Sequence, residues 1–371
     1  MHGSQSNLSD FHMHFSISPQ AFEHSPMATR EDPSAHTTPN NAAAMTPPIF
    51  IDTPTLRSLL SYKTLIHHLQ TSLPSASSTI QSPIRQSHQT SPSSSLLLMP
   101  SWSLSSSLPY IGVKLVTHHP HNSTLNLPAV HATYALFNSL TGQPLASMDG
   151  TELTLHRTSC VSALASMYLA RPESQTLLMI GAGSLAPHLI RAHLTAIPTI
   201  KKVIIWNRTL DKARKLAQTM SSDDQLKGLC FESNGCLEEV VGAADIVSCA
   251  TNSETPLVNG ADLKAGTHLD LVGSFQHSMR ECDDEAIRRG RVFVDNAAAM
   301  EEAGELVGAF ERGVISREEI GGCLVELIRG EKVGRREDSE ITVFKSVGSA
   351  VVDVVSAQLV YETYMKNDQS H

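Results

Sequence analysis

Paired cysteines are missing from this chain. Its six cysteines, Cys160, Cys230, Cys236, Cys249, Cys282 and Cys323, are scattered with no CxxC spacing. That excludes a zinc ribbon or a disulfide framework and reads as buried thiols in a reducing compartment. Long apolar runs are missing too: none approaches the length of a membrane span, so no membrane partner is expected. Positive charge is short, with 28 Lys and Arg against 37 Asp and Glu for a net charge of -9. No broad basic surface remains to neutralise phosphates, which argues against a nucleic-acid partner. Arginine is nearly absent from the first 45 residues, where Arg30 stands against Asp10, Glu23, Glu31 and Asp32. That is a poor transit peptide, and Met27 or Met45 is a candidate start. Large aliphatics are few there as well, so residues 1–45 read as a disordered extension. The remaining length, with 41% hydrophobic and 18% charged residues overall, suits a protein of two domains.

What the chain does contain is a strand, glycine turn, helix and strand between residues 177 and 209. Leu177, Leu178, Met179 and Ile180 form the short apolar run of a strand buried on both faces. It breaks at Gly181-Ala182-Gly183, after which Leu185, Leu189, Ile190 and Leu194 recur at helical spacing. Pro187 falls in the first turn, where backbone N–H groups have no helical partner. Val203 to Trp206 then gives a second strand, ending at Asn207-Arg208-Thr209. Gly181 permits the tight turn, Gly183 lets backbone approach a pyrophosphate at the helix N-terminus, and Ala186 allows close helix–strand packing. A lone GxGxxA is weak; placed between two such strands it is strong. Gly181, Ala182, Gly183, Ser184 and Leu185 are therefore expected to bind a dinucleotide. An NAD site usually ends its second strand in a carboxylate, which would repel a 2′-phosphate. Here the flanked guanidinium of Arg208 can grip that phosphate by two parallel bonds, with Asn207 and Thr209 beside it. The expected cofactor is NADPH. The plainer alternative leaves Arg208 as a solvated charge after a strand.

Along the rest of the chain, 49–51 reads as a strand and 55–69 as a helix bearing Leu56, Leu59, Leu60, Leu65 and Ile66. Residues 71–107 are rich in Ser and Pro, interrupted by an apolar run at 96–99 and by Trp102, and read as short strands joined by polar turns. Strands at 110–116 and 130–140, with a turn at Thr141-Gly142, continue this region. A helix at 154–169 carries Arg157 near its start. Beyond Thr209, a helix is expected at 210–220 and parallel strands at 240–250, 267–272 and 292–295. Ser316 to Glu319 is a capping-box pattern, expected to start a helix that runs to Arg329 and stops at Gly330. The apolar stretch 341–360 is expected to cross back to the first domain. The fold class is α/β: a Rossmann-type doubly wound parallel sheet at 156–338. With it goes an α+β substrate-binding and dimerisation domain formed by both ends of the chain, 46–155 and 339–371.

Five segments then occur in a telling order: GVKLV at 112–116, MDG at 148–150, RT at 157–158, the GAG turn with its WNRT strand end, and TVFKSVG at 342–348. Together they resemble the ornithine cyclodeaminase/mu-crystallin family over residues 48–361. Within it, LLLMPSW at 96–102, LPYIGVKLVTHHPHNS at 108–123 and HLDLVGSFQHSMRECDD at 268–284 are similar to a plant branch of ketimine reductases. That branch supplies pipecolate for systemic acquired resistance. The resemblance implies a homodimer with reaction in the cleft between two domains, and Arg85, Lys114 and Arg157 on the carboxylate side of the substrate. It adds Thr251, Gly273 and Lys345 to the cofactor side. It implies a plastid location, the cytoplasm being the alternative.

The chemistry of a cyclic 2-imino acid suits those residues. Hydride must reach the carbon of a C=N bond, which is far more electrophilic when the nitrogen is protonated. An arginine fork fixes the neighbouring carboxylate and a second cation reinforces the hold. Lys114, close to other cations, is expected to have a depressed pKa and to manage the imine proton. The plainer alternative makes Lys114 and Arg157 snorkelling surface cations. In one place the chain departs from the cyclodeaminases. Aligned on Gly273 and Glu281, their catalytic Asp corresponds to Phe275, which has no basic atom, and their acid near the second strand end corresponds to Asn207. The expected function is NADPH-dependent reduction of 1-piperideine-2-carboxylate to pipecolate. Alternatives are ornithine cyclodeamination, a non-catalytic mu-crystallin-like binder, and another NADP enzyme of the shikimate dehydrogenase type. No metal is expected: adjacent residues among His118, His119 and His121 point to opposite faces of an extended segment, and no carboxylate cluster accompanies them.

Overall fold

A computed structural model of the chain describes residues 47–369 apart from residues 104 and 126. The disorder expected of residues 1–45 therefore lies outside the described residues. From Pro47 onward the chain forms one compact unit built on two sheets.

The first half makes a largely antiparallel sheet. β1 (Ile49–Ile51) is followed by α1 (Thr53–Leu59), α2 (Tyr62–Thr79), β2 (Ile80–Gln81), β3 (Gln86–Ser91), β4 (Ser94–Ser103), β5 (Tyr110–His118), β6 (Val130–Asn138) and β7 (Pro144–Asp149). The strand order is β1-β7-β6-β5-β4-β2, with β3 on β4 and β1 parallel to β7. Alternation decides the two faces. Met99, Ser101, Gly112, Lys114, Tyr134 and Leu136 turn inward and are buried, while Leu98, Val113 and Leu115 turn outward and are half-buried. Two helices cover the inner face beside α2: α3 (Gly150–Leu169), N-capped by Asp149, and the C-terminal α11, introduced below.

A wholly parallel sheet follows. Its elements are β8 (Thr176–Ile180), α4 (Ala186–Ala196), β9 (Lys202–Trp206), α5 (Leu210–Ser221), β10 (Cys230–Asn234), α6 (Glu238–Val241), β11 (Ile246–Cys249), β12 (His268–Leu271), α7 (Asp284–Arg289), β13 (Gly290–Val294), α8 (Ala299–Glu302), α9 (Gly304–Glu311), α10 (Leu324–Arg329) and β14 (Ile341–Lys345). The order β10-β9-β8-β11-β12-β14-β13 reverses at β8, the switch point where such sheets open a crevice. α11 (Ala350–Asp368) closes the chain.

Several elements differ from the sequence expectation. The helix expected at 55–69 is two: α1 stops at Leu60, and α2 begins again on the Ser61 cap and runs through Pro74 to Thr79. Leu69, Leu73, Ala76 and Ile80 keep helical spacing and are buried, and the hydroxyls of Ser75, Ser78 and Thr79 donate back to carbonyls one turn earlier. Packing thus overrides poor propensity. The strand expected at 240–250 begins as α6 and is extended only from Ile246. The Ser316 capping box closes a single short turn, Arg317–Glu319, and α10 starts afresh at Cys323; Gly330 does end it, at φ 72°. The edge strand β10, CFESN, was too polar to be anticipated. Of the segment 339–371 expected with the first sheet, β14 is inserted between β12 and β13 of the second, and α11 alone makes the return.

Candidate active site

Register brings the ends of five parallel strands into one row. Trp206, Ile180, Cys249, Leu271 and Lys345 are successive cross-strand partners. The residues that follow them, Asn207, Gly181, Ala250, Val272 and Ser346, therefore share the C-terminal edge of the sheet. Gly181 turns the chain at φ 112°, and a Cβ there would meet the Ala250 carbonyl at 2.6 Å. Gly183 is exposed with open space where a Cβ would stand, and no side chain caps α4 at Leu185. An uncapped helix start behind a bare backbone turn fits a pyrophosphate. Ala182 and Ser184 lie in that turn. Asn207 is already engaged: its Oδ1 accepts from the Ala182 N–H at 3.2 Å and its Nδ2 donates to the Thr209 carbonyl. It braces the turn. Arg208 and Thr209 are exposed at the strand end, and Arg208 has no carboxylate within ion-pair reach among the described residues.

Thr251, Gly273 and Lys345 belong to a buried network at the same edge. One oxygen of Glu281 accepts from the Thr251 N–H (2.6 Å) and hydroxyl (2.9 Å), and the other accepts from the Gly273 N–H at 2.7 Å. Burial, partly offset by Lys345 and reinforced by Glu305, pushes the Glu281 carboxyl up to about 7. Lys345 is fully buried and donates to the Ser274 hydroxyl at 2.6 Å; Ser274 in turn donates to Glu305. Glu305 also accepts the Glu281 N–H. The Lys345 amine is therefore held inside the protein. Phe275, just beyond, is 39% exposed.

Lys114, from the centre of β5, meets Arg157, from α3, around a residue the sequence reading did not single out. Asp353 on α11 is fully buried, with one oxygen 2.7 Å from Lys114 Nζ and the other 2.8 Å from Arg157 Nε. Neither cation is a snorkelling surface residue, for Lys114 is 3% and Arg157 6% exposed. Burial is the largest influence on Lys114; Asp353 opposes it while Arg157 and Arg85 add repulsion, leaving the amine at about 8. Gly112 is required here, because a Cβ would sit 1.9 Å from the Tyr134 hydroxyl that packs behind Lys114. The terminal nitrogens of Arg157 lie against Gly348, whose N–H, like that of Val347, donates to Asp295 at the end of β13. Gly348 is three residues past the strand-end row, so the cation pair sits at the same sheet edge as the glycine turn. Arg85 is only loosely part of the group: its charge reaches Lys114, but its guanidinium pairs with Glu302 at 2.7 Å.

A second polar cluster lies where α3 meets α4. Glu152, His156 and His188 bring ligating atoms within 4.8 Å of one another. Each already has a partner, since Arg57 grips both oxygens of Glu152, His156 leans on Glu152, and Tyr62 contacts His188 Nδ1 at 2.9 Å. This is a closed network at the wall of a 990 Å³ cleft between α2, α4 and the end of α5; the cleft reaches the first turn of α4 at Pro187, and Lys114 does not line it. His118, His119 and His121 are not in it; they end β5 and begin an exposed loop.

Known proteins share this fold and much of its sequence. The profile of the ornithine cyclodeaminase/mu-crystallin family matches residues 50–368. The Protein SAR DEFICIENT 4 of Arabidopsis thaliana is 62% identical over 318 residues, 86% of this chain and 98% of that protein. A structure of Thermococcus litoralis Delta(1)-pyrroline-2-carboxylate reductase in complex with NADH and L-proline superposes with a TM-score of 0.81 at 31% identity, covering 86% of this chain and 98% of that one. An archaeal alanine dehydrogenase dimer with bound NAD superposes with a TM-score of 0.78 at 28% identity, covering 86% and 97%.

Proposed function

The chain belongs to the ornithine cyclodeaminase/mu-crystallin family, and we propose that it is a nicotinamide-dependent oxidoreductase that reduces a cyclic 2-imino acid. The observation that carries this reading is the buried Lys114–Asp353–Arg157 group at the sheet edge that also bears the open glycine turn. The substrate we propose is 1-piperideine-2-carboxylate, the product pipecolate and the cofactor NADPH. NADPH supplies the hydride. Arg157 and Lys114 hold the carboxylate, fixing the ring so that its C=N carbon faces the cofactor side. Lys114, at about 8, is mostly protonated at neutral pH and passes a proton to the ring nitrogen, leaving an amine and a neutral lysine that water recharges. Phe275 offers no base where ornithine chemistry would need one, which supports reduction of a preformed imine. The exposed Arg208, free of carboxylate partners among the described residues, supports the phosphorylated dinucleotide.

The test is NADPH or NADH oxidation by purified protein with piperideine and pyrroline carboxylates, with ornithine as a third substrate. Turnover of a cyclic imine, faster with NADPH, is expected. Arg208→Ala should raise KM for NADPH by about tenfold and leave NADH nearly unchanged. Oxidation of neither cofactor, or ammonia release from ornithine, would reject the reading. We also propose a homodimer through the outer face of the first sheet, where Leu98, Pro100, Trp102, Ile111, Val113 and Leu115 pair across β4 and β5 as one apolar patch. A monomeric mass by light scattering would refute it.

A further inference from the structure

A carboxylate at position 353 is costly to keep. Asp353 lies in a helix whose neighbouring Val352, Val354, Val355 and Ala357 are all buried, and a valine there would suit the packing. A buried charge of this kind is tolerated only when opposite charges stand close to it. Asp353 has two, from different elements, each approaching through one nitrogen as an ion pair without the alignment of a full hydrogen bond. A lysine has three donors and an arginine five, so most donors of the pair are left for a ligand.

Charge points the same way. Lys114 and Arg157 share the one carboxylate of Asp353, and Arg85 pairs with Glu302; Asp295, whose charge also reaches Arg157, accepts from the backbone N–H groups of Val347 and Gly348. The two cations around Asp353 outnumber the carboxylate in contact with them, which suits one substrate carboxylate. Without Asp353, Lys114 and Arg157 would repel each other across the pocket whenever it stood empty.

We propose that Asp353 is the positioning residue of the substrate pocket: its two oxygens set the spacing of Lys114 and Arg157 so that their remaining donors converge on one carboxylate. This rests on the reductase reading above. It also links the two sheets. α11 is entered through Val347 and Gly348, which Asp295 ties to the end of β13, so the cofactor edge and the pocket share one anchored connection.

Asp353→Asn tests it in the full chain loaded with NADPH. The groups facing Lys114 are Asp353 on α11, Arg157 on α3, Tyr134 on β6 and Arg85 before β3. Removing the one carboxylate leaves burial and two guanidiniums, so Lys114 should lose its proton at a lower pH than about 8. The expected result is KM for the imino acid raised by about tenfold or more, with the alkaline fall of kcat/KM moved down by about one pH unit and NADPH affinity unchanged. A variant that melts earlier but keeps the wild-type KM and pH profile overturns the proposal. Should the Asn variant fail to fold, Asp353→Glu keeps the charge and displaces the oxygens. Raised KM with the alkaline limb still near that of the wild type is expected, and an unchanged KM overturns the proposal. If the wild-type chain reduces no cyclic imine, the Lys114 titration can still be followed by NMR of the 13C-methylated protein. Identical curves with and without Asp353 then overturn the positioning role independently of the reductase reading.

Discussion

Two lysines are buried in this protein, and their surroundings have opposite proportions. Lys114 shares the single carboxylate of Asp353 with Arg157. Lys345 stands among two carboxylates, Glu305 at 3.7 Å and Glu281 close enough to feel its charge. At Lys114 burial, reinforced by Arg157 and Arg85 against the one carboxylate of Asp353, pushes the amine down to about 8. Where carboxylates are in excess, the amine is bonded inward to Ser274, and the carboxylate oxygens hold the backbone of Thr251, Gly273 and Glu281. The first arrangement can trade a proton near neutral pH. The second decides where loops sit. Residue type and burial are the same in both; the count of counter-charges differs, and it suits the chemical role proposed for Lys114 and an architectural one for Lys345.

Substitution by methionine should break the comparison cleanly, because it keeps length and removes charge. Lys114→Met is expected to lower kcat by about 10²–10⁴-fold, the usual worth of a positioned acid, while thermal unfolding moves little because Asp353 keeps Arg157. Steady-state kinetics beside calorimetry would read both. Intact turnover would remove Lys114 from the chemistry. Lys345→Met should do the reverse, leaving Ser274 and Glu305 buried without their cation at a cost on the order of 3–5 kcal/mol in unfolding free energy. Its kcat, measured below the lowered melting point, should fall far less than that of the Lys114 variant. Equal losses of turnover in the two variants would erase the distinction.

The sequence made one of these regions more legible than the other. The glycine turn and the strands around it are local features, readable because glycine, apolar runs and short spacings act within a few residues. Lys114 and Arg157 stood out only through resemblance, since their shared partner comes from the far end of the chain. Asp353 did leave a trace: it is the one charged residue in the apolar run 350–360, and an isolated acid there should have invited a search for cations. Glu281 left less, because its work is on backbone N–H groups, which every residue has. In the fold, the second half of α2, beyond Leu69, was hidden by its serines and Pro74, although Leu69, Leu73, Ala76 and Ile80 carried the period. β10 was hidden because one edge of the sheet tolerates a polar strand.

The cluster where α3 meets α4 sharpens the comparison from a different side, with the smallest expected effect. Burial, then repulsion from His156, pushes His188 down to about 4, so it is neutral in the folded protein across most of the acid range. The unfolded chain binds a proton at that site below about 6.5, and the folded chain does not until about 4. Stability from this residue is therefore complete above pH 6.5 and falls as the pH drops towards 4, by about 3 kcal/mol at most. Glu152 acts in a separate, lower window. Burial raises it, but His156 and Arg57 outweigh burial and hold it at about 2, so its contribution is present above 4.5 and lost as pH falls through 2. Urea unfolding at pH 7 and pH 5 should differ less in His188→Gln than in the wild type. An unaltered difference would mean that some other group governs the acid response. A flattened one would show that the cluster where α3 meets α4 keeps a proton out, whereas the group around Lys114 on β5 holds one near neutral pH.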